Sequence, residues 1–397
     1  MHKYFKINTI LIFLGIIFIS LTMNAQTEEE IINKFAKRTH TFYGTTLPYR
    51  LFIPDNYDKN KLYPLVLCLH GAGERGIDNE IHIKYHRIAT SWADSSNQSM
   101  YQCFVVAPQC PPENRWVDSD WSTGEYRVNQ VPVSNEILTV NNLIDSLLNE
   151  FNIDKNRLYV TGLSMGGYGT WDIISRFPDK FAAAIPMSGG GDSTQAKNIK
   201  HISIWDFHGA KDNVVPITAS QKMIEALNRS GAFVIGTNNL SSVAINFFID
   251  NKQKYFYTEY PEGGHAVWAE SYNNPLLFKW LFAQSKNITH VSENYSLKEN
   301  SSDFNLFQNY PNPFNPATTI KFYVPHNKFI NSSTQHVTLK LYNLLGQEVA
   351  TLFEGEKEAG EYSFVFFSDN YQFSSGVYLY KLDIGNLSKT KHMVLIK

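Results

Sequence analysis

The chain has few cysteines, almost no net charge and, beyond its N-terminus, no long apolar run. Its 397 residues include three cysteines, and 35 Lys and Arg stand against 37 Asp and Glu, a formal net charge of −2. A near-neutral chain is not expected to bind nucleic acid or an acidic membrane surface. Three cysteines without a Cys-x-x-Cys pair supply neither a disulfide framework nor a zinc site. We therefore expect no nucleic-acid partner and no metal.

Apolar and aromatic side chains are abundant instead. They make up 43% and 14% of the residues, and only 18% are charged. This composition excludes a disordered chain and predicts large buried cores. The length indicates two domains, or one large domain with an appendage.

The N-terminus has the pattern of a secretory signal. Lys3 and Lys6 precede the apolar run Ile10–Leu21, which is short for a membrane span, and the small residue Ala25 follows. This pattern predicts that residues 1–25 form a signal peptide cleaved after Ala25. An uncleaved membrane anchor is the alternative.

Apolar strands alternate with amphipathic helices through residues 26–288, the predicted catalytic domain. The strands predicted there are Tyr63–His70, Gln102–Pro108, Arg157–Thr161, Phe181–Met187, His201–His208 and Lys254–Tyr260. Helical spacing of apolar residues marks Glu136–Phe151, Ile217–Asn228 and Pro275–Ala283. Because the strands are apolar throughout, both faces of the sheet must be covered. The fold class predicted is α/β, with a doubly wound, mostly parallel sheet.

The composition changes near residue 286. Residues 289–303 are rich in Asn, Ser, Glu and Lys, which predicts a linker. Helical patterns are missing from residues 304–397. Short alternating strands replace them, at Thr318–Val324, Val337–Tyr342, Glu361–Phe367 and Gly376–Leu382. These strands predict a small all-β sandwich of some seven strands.

The strongest chemical motif is the run Gly162–Gly167, which contains Ser164 in a G-x-S-x-G pattern. It follows a short strand and opens a helical pattern, the context of a nucleophile elbow. The glycines allow the sharp turn and let the helix approach the strand closely. The hypothesis is that Ser164 is a catalytic nucleophile, and an ordinary glycine-rich turn is the alternative.

A serine nucleophile needs a base and an acid, in the chain order Ser, acid, His. Among twelve histidines, His265 lies in a loop directly after the last apolar strand. The acid predicted is Asp212, also in a loop after a strand, with Asp206 and Asp250 as weaker rivals in sequence that reads as strand. His208 precedes the acid, so its predicted role is structural.

The oxyanion donors predicted are the backbone N–H groups of Ala72, or its neighbour Gly73, and of Met165. Ala72 follows the strand that ends at His70, and Met165 follows the nucleophile. The alternative is a phosphate-cradling loop, but no Gly-Lys-Ser/Thr sequence supports it, and we expect no cofactor. A possible metal site is formed in the sequence by Glu80, His82 and His86, because the two histidines are four residues apart. A solvated helix face is the simpler interpretation.

Several ordered motifs carry a family resemblance over residues 40–285. They are His70–Gly76 with Asp78-Asn79, Ala107–Pro111 with Arg115-Trp116 and Trp121, Gly162–Gly167, and His208–Pro216. Together they resemble the α/β-hydrolase esterases, in the branch of secreted carboxylesterases and feruloyl or acetyl-xylan esterases. The resemblance implies that Trp116 and Trp121 line the acyl pocket, and core or lid packing is the alternative.

The C-terminal region carries a second resemblance. Its motifs are Asn309–Pro316, Leu341–Val349 and Ser375–Tyr380, with basic residues near the end of the chain. They resemble a type IX secretion sorting domain, which implies passage through the periplasm to the outer surface or beyond. An immunoglobulin-like spacer or sugar-binding module is the alternative.

These patterns together predict a secreted serine ester hydrolase, a monomer, whose substrate is an ester that a plant polysaccharide carries. Aryl esters such as ferulate, or short acyl esters such as acetate, are the substrates expected. A serine peptidase of the prolyl-oligopeptidase type shares the triad order, but the chain is too short for its propeller domain. A non-catalytic carbohydrate-binding protein is the alternative from another class.

Overall fold

The computed structural model describes residues 26–286 except 239 and 251, residues 304–325, and residues 334–396 except 369, 370 and 372. The predicted signal peptide and the predicted linker lie outside the described residues.

The larger region is built around one nine-stranded sheet. Its strands are β1 Ala36–Phe42, β2 Thr45–Phe52, β3 Tyr63–Leu69, β4 Phe104–Pro108, β5 Ile153–Leu163, β6 Ala183–Met187, β7 Ser203–Gly209, β8 Val234–Gly236 and β9 Tyr255–Tyr260. Their order across the sheet is β1-β2-β4-β3-β5-β6-β7-β9-β8. The pairs β1–β2 and β2–β4 are antiparallel, and the remaining neighbours are parallel. The predicted mostly parallel sheet is confirmed.

Helices cover both faces of this sheet. They are α1 Glu28–Asn33, α2 Ile81–Lys84, α3 Thr90–Ala93, α4 Ser95–Met100, α5 Asn135–Glu150, α6 Met165–Arg176, α7 Ala196–Ile199, α8 Thr218–Arg229, α9 Ser242–Asp250, α10 Trp268–Tyr272 and α11 Pro275–Phe282. Alternate side chains of one strand enter opposite cores, as Leu67 and Val66 of β3 do. Two cores therefore fix the position of every central strand. None of the helices in the described ranges is long and apolar enough to cross a bilayer.

The smaller region is a two-layer β structure. Its strands are β10 Asn305–Leu306, β11 Ala317–Val324, β12 Thr334–Tyr342, β13 Glu348–Glu358, β14 Gly360–Phe367, β15 Gly376–Ile384 and β16 Leu387–Leu395. They form two sheets, β10-β11-β14 and β13-β12-β15-β16. Ile320 and Phe366 of the first sheet share one buried cluster with Leu339 and Leu382 of the second. This arrangement confirms the predicted small β domain.

Within the described residues, side chains of the smaller region contact the larger one at a few places. Leu344 and Val377 of the smaller region pack against the second core of the larger one. The rings of His392 and Phe248, a residue of α9, lie 6.3 Å apart. Helix α9 also corrects an expectation, because Asp250 is its last residue and does not lie in a strand. Since the apolar residues of this short segment are interrupted by Asn246 alone, periodicity does not separate helix from strand here.

Candidate active site

Ser164 lies at the sharp turn between β5 and α6. Its backbone has φ +54° and ψ −117°, a conformation that non-glycine residues rarely adopt. The turn is held by the Ser164 N–H, which donates to the Met187 carbonyl at 2.9 Å. A strained residue persists only where its surroundings impose it, and such residues are concentrated at functional sites.

Two glycines make this turn possible. A Cβ added to Gly166 would lie 1.7 Å from the carbonyl oxygen of Leu69, at the end of β3. A Cβ added to Gly162 would lie 2.1 Å from the carbonyl oxygen of Gly166. Both contacts are with backbone atoms, which cannot swing away as a side chain can. Glycine at these two positions therefore lets α6 begin directly against the central strands.

The structure brings Ser164, His265 and Asp212 together in one hydrogen-bonded chain. The Ser164 hydroxyl lies 2.8 Å from Nε2 of His265, and Nδ1 of His265 lies 2.7 Å from Oδ2 of Asp212. Asp212 follows β7 and His265 follows β9, which are neighbouring parallel strands. The loops after them therefore meet at the carboxyl edge of the sheet. The Ser188 hydroxyl further holds the carbonyl of His265, at 2.9 Å.

Asp212 is held as a carboxylate. Its side chain has no exposed surface, and this burial by itself raises the pKa of a carboxyl group. The hydrogen bonds from His208, His265 and the N–H groups of Val214 and Val215 outweigh burial and hold the pKa of Asp212 well below its usual range. A buried anion facing Nδ1 favours the His265 tautomer that leaves Nε2 free to accept the serine proton.

The two rival acids lie elsewhere. Asp206 is fully buried in β7, and no group in the described residues makes a hydrogen bond to either carboxyl oxygen. Burial raises the pKa of Asp206 to about 7, although nearby Ser220 and His208 oppose the rise. Asp250 forms an ion pair with Lys279 at 2.5 Å on the surface. Neither rival contacts His265 in the structure.

The two predicted oxyanion donors each begin a helical segment. Met165 is the first residue of α6, and Ala72 is the first residue of a short 3-10 helix, Ala72–Glu74. The first N–H groups of a helix have no acceptor within it, so they are available to an oxyanion. The two segments are adjacent, because a Cβ on Gly71 would lie 2.8 Å from a methyl group of Leu163. A three-residue helix after the glycine run also argues against a dinucleotide phosphate site.

His70 fixes the loop that carries Ala72. Its Nδ1–H donates to the Gly71 carbonyl at 2.6 Å, and its Nε2 accepts the Cys110 N–H at 2.9 Å. These roles require a neutral ring, and burial lowers the pKa of His70 to about 4. Sequence reasoning gave His70 no role beyond its place in the motif.

The two tryptophans have different surroundings. Trp116 is completely buried, and its indole N–H donates to the His70 carbonyl at 3.0 Å. The expectation that Trp116 contacts substrate is therefore not met in this structure, because the side chain has no surface to offer and supports the loop instead. Trp121 is half-buried, with the guanidinium of Arg115 4.5 Å from its ring centre. The Trp121 carbonyl accepts the Tyr168 hydroxyl, one turn after Ser164.

The alternative metal site does not assemble. Nε2 of His82 donates to the Ala107 carbonyl, and burial lowers the pKa of His82 to about 3. His86 faces Glu74, and Glu80 pairs with Lys37 and Lys84. Within the described ranges no three His, Cys, Asp or Glu side chains meet in a metal-binding group.

One contact of the catalytic histidine candidate was not foreseen. Trp268 packs edge-on against His265, with ring centres 5.5 Å apart, and against His86 at 5.1 Å. Trp268 follows His265 by three residues, but nothing in the sequence separates such a tryptophan from an ordinary core residue.

The fold and this hydrogen-bonded chain define the class of protein, an α/β-hydrolase with a serine, histidine and aspartate at the carboxyl edge of its sheet. Residues 41–269, more than half of the chain, match the family model Esterase, described as "Putative esterase". The chain belongs to this esterase family, and the family predicted from its motifs is confirmed.

Three relatives show the range of the similarity. A bifunctional acetylxylan esterase/xylanase of Neocallimastix patriciarum is 30% identical over 43% of this chain and 22% of its own length. "Probable feruloyl esterase C" of Aspergillus flavus is 24% identical over 57% of this chain and 79% of its own. The crystal structure of a thermostable esterase is 39% identical, with a TM-score of 0.55, over 64% of each chain. The chain thus spans only about a fifth of the Neocallimastix enzyme.

The C-terminal region matches a second model. Residues 308–397 match the secretion system C-terminal sorting domain. The predicted type IX sorting domain is confirmed, and with it secretion or display at the outer surface.

Proposed function

We propose that the protein is a serine carboxylic-ester hydrolase in which Ser164, His265 and Asp212 form the catalytic triad. The observation that carries the proposal is the unbroken chain of two hydrogen bonds, 2.7 and 2.8 Å long, from Asp212 through His265 to Ser164. Membership of the esterase family supports it.

The proposed reaction begins when Ser164 attacks the ester carbonyl while its proton passes to Nε2 of His265. Asp212 stabilises the imidazolium that forms. The N–H groups of Ala72 and Met165 stabilise the oxyanion, a contribution worth about 10²- to 10³-fold in rate for each donor. His265 then protonates the departing alcohol, and water activated by His265 releases the acid from the acyl-enzyme. These steps need no metal or cofactor.

The substrates we propose are aryl esters such as ferulate, or acetate esters, on plant polysaccharide. Two relatives carry the names acetylxylan esterase/xylanase and feruloyl esterase, which supports this class for the chain. The half-buried face of Trp121 beside the helix of the nucleophile offers an aromatic surface for an acyl group. Trp116, which is completely buried, lies outside the proposed acyl site.

The domain organisation we propose follows the order of export. Residues 1–25 are a signal peptide, 26–288 the catalytic domain, 289–303 a linker and 304–397 the sorting domain. The match to the sorting-domain model supports the last assignment. The partner implied is the type IX secretion machinery, which the chain meets after it enters the periplasm.

The test is a substrate panel with a nucleophile variant and a matched serine control. Acetate, butyrate and octanoate p-nitrophenyl esters, methyl ferulate, acetylated xylan and a peptide anilide are compared for the wild type, Ser164→Ala and the exposed-site variant Ser99→Ala. We expect ester turnover that Ser164→Ala lowers by about 10⁴-fold or more, with Ser99→Ala unchanged.

The same panel separates the alternatives. Preference for the peptide anilide would make the protein a peptidase. Binding of xylan without any turnover would make it a carbohydrate-binding protein. Octanoate turned over faster than both acetate and ferulate esters would overturn the aromatic acyl site at Trp121.

A further inference from the structure

A second histidine contacts the carboxylate oxygen that faces His265. Nε2 of His208 lies 3.2 Å from Oδ2 of Asp212 and 3.1 Å from the carbonyl oxygen of Val215. The side chain of His208 is completely buried. His208 is the last residue but one of β7, so it lies on a rigid strand, whereas Asp212 lies in the loop that follows.

The contacts of His208 define where its protons are. Its Nε2 faces only oxygen acceptors, a carboxylate and a carbonyl, so Nε2 must carry hydrogen. Its Nδ1 lies 2.8 Å from the hydroxyl of Ser220, which is also fully buried, in α8. With hydrogen on Nε2 and with Nδ1 accepting the Ser220 hydroxyl, each of these contacts is satisfied. Asp206, which is buried in the same strand, also interacts with Ser220 and His208. Ser220 thus fixes the tautomer whose Nε2–H lies between the Val215 carbonyl and Oδ2 of Asp212.

We propose that His208, oriented by Ser220, is a positioning residue that holds Oδ2 of Asp212 against Nδ1 of His265. The inference rests on the proposed function and extends it by two residues. The relay then runs from Ser220 through His208, Asp212 and His265 to Ser164, and each of its four contacts is between 2.7 and 3.2 Å.

Two physical effects follow from this contact. First, both Asp212 oxygens are anchored, since Oδ1 accepts the N–H groups of Val214 and Val215 at 2.8 and 3.0 Å. Among the described residues, the His208 contact is the one that restrains Oδ2 independently of His265. Second, the His208 N–H neutralises part of the carboxylate charge, so Asp212 attracts the His265 imidazolium less strongly than an unassisted carboxylate would.

The test compares three relay variants with a matched buried serine. His208→Phe removes the donor, and His208→Gln keeps an N–H near the Nε2 position. Ser220→Ala removes the hydroxyl that fixes the tautomer of His208. Ser203→Ala is the control, because Ser203 is buried in the same strand and bonds to Gln284 instead. For each protein, kcat and KM for p-nitrophenyl acetate are measured from pH 5 to 9. The concentration of active sites is determined by titration with a fluorophosphonate, and the folded fraction by circular dichroism. Each kcat is then expressed per active site and per folded molecule.

We expect His208→Phe to lower kcat by about 10- to 100-fold with KM within about twofold of the wild type. The acid limb of its pH–rate profile should move to higher pH, because the unassisted carboxylate favours the imidazolium. His208→Gln should recover most of the lost kcat. Ser220→Ala should change both quantities in the same direction by a smaller amount, and Ser203→Ala should change neither.

Outcomes that contradict the inference differ from those that contradict the proposed function. If His208→Phe loses only stability and keeps the kcat and pH profile of the wild type per folded molecule, His208 is merely structural. If His208→Phe does not fold, a Ser220→Ala protein with the kcat and the pH profile of the wild type overturns the relay. Ester turnover that persists in Ser164→Ala would instead contradict the proposed catalytic triad.

Discussion

The two regions of the molecule differ in whether they bury charged side chains. The hydrolase region buries charged or ionisable side chains on several elements, including Arg50, Glu74, Asp172, Asp206 and His208. The buried polar side chains in the described part of the sorting domain are Asn309, Thr318 and Ser368, none of them charged. Because burying a charge is costly unless it is paired, such groups persist where they serve a structure or a reaction.

The two regions also differ in how deeply their strands are buried. Strands β3, β4 and β7 are buried along their whole length. In the sorting domain, β11 alternates between buried and accessible residues, and β14 alternates between half-buried and exposed residues except at the buried Phe366. A sheet covered on both faces holds the side chains at its edge in nearly fixed positions. A thin sandwich with one core is suited to folding as an independent unit. The candidate active site lies in the region that matches the esterase family, whereas the smaller region matches the sorting domain.

The largest effect expected comes from Asp212→Asn, matched with Asp383→Asn in the sorting domain. The asparagine amide can donate to Nδ1 of His265, which favours the wrong tautomer, so kcat should fall by about 10⁴-fold. Asp383→Asn removes an ion pair with Lys381 and should leave kcat unchanged. Steady-state kinetics on p-nitrophenyl acetate make the comparison. Equal activity of the two variants would contradict the assignment of Asp212.

Next in size is the effect of a methyl group at the elbow. Gly166→Ala would place its Cβ 1.7 Å from the carbonyl oxygen of Leu69, so the helix must move away from the strand. We expect a loss of at least about 3 kcal/mol in unfolding free energy, or failure to fold. In Gly236→Ala the added Cβ has no atom within 4 Å, and this variant is the control. Urea unfolding measures both, and a Gly166→Ala protein as stable as the control would refute the close approach.

Asp206→Asn should change stability in one pH window. Burial raises the pKa of Asp206 from 3.8 to about 7, so the folded state keeps a proton that the unfolded chain releases. Wild-type stability must therefore fall, through this group, as the pH rises from 4 to 7, by roughly 3–4 kcal/mol in total.

The asparagine variant lacks this titration, so its stability relative to the wild type should rise over the same window and level off above pH 7. Thermal unfolding at pH 4 to 9 measures the difference. Asp179→Asn is the control, because that side chain is fully exposed. A stability difference independent of pH would show that Asp206 titrates normally.

The smallest effect is expected from removing the sorting domain. A chain of residues 26–290 keeps every residue of the proposed triad, and among the described residues it loses contacts of Leu344, Val377 and His392 with the larger region. Its kcat/KM for soluble esters should lie within about threefold of the full chain, and a host with type IX export should retain it in the periplasm.

Two results of this truncation would contradict separate roles for the two regions. Loss of soluble-ester turnover in a folded protein would make the sorting domain part of the active site. Retained turnover with loss of binding to insoluble polysaccharide would make it a carbohydrate module. Fusion of residues 304–397 and a signal peptide to an unrelated protein tests delivery separately.

Local sequence patterns predicted much of this architecture. The central strands, α5, α8 and α11 lie within a few residues of their predicted positions, because continuous apolar runs and helical spacing report burial directly. Strands β13 and β16 were not predicted. Their sequences are largely polar or charged, and most of their residues are accessible, so neither presents a clear apolar alternation.

The site was only partly readable from the sequence. Ser164 was apparent because its motif has a backbone requirement, and Asp212 and His265 because they follow strands. The support given by His208, Ser220 and Trp116 depends on contacts between segments distant in the chain, which a single sequence does not record.

The central claim is that Ser164 forms a covalent acyl-enzyme, and trapping that intermediate tests it most directly. The full chain is treated with diethyl p-nitrophenyl phosphate, digested and examined by mass spectrometry, with Ser164→Ala and Ser99→Ala in parallel. We expect one diethylphosphoryl group per molecule, on the peptide containing Ser164, in the wild type and in Ser99→Ala, and none in Ser164→Ala. Stoichiometric labelling at another residue, or stoichiometric labelling of the Ser164→Ala protein, would contradict it.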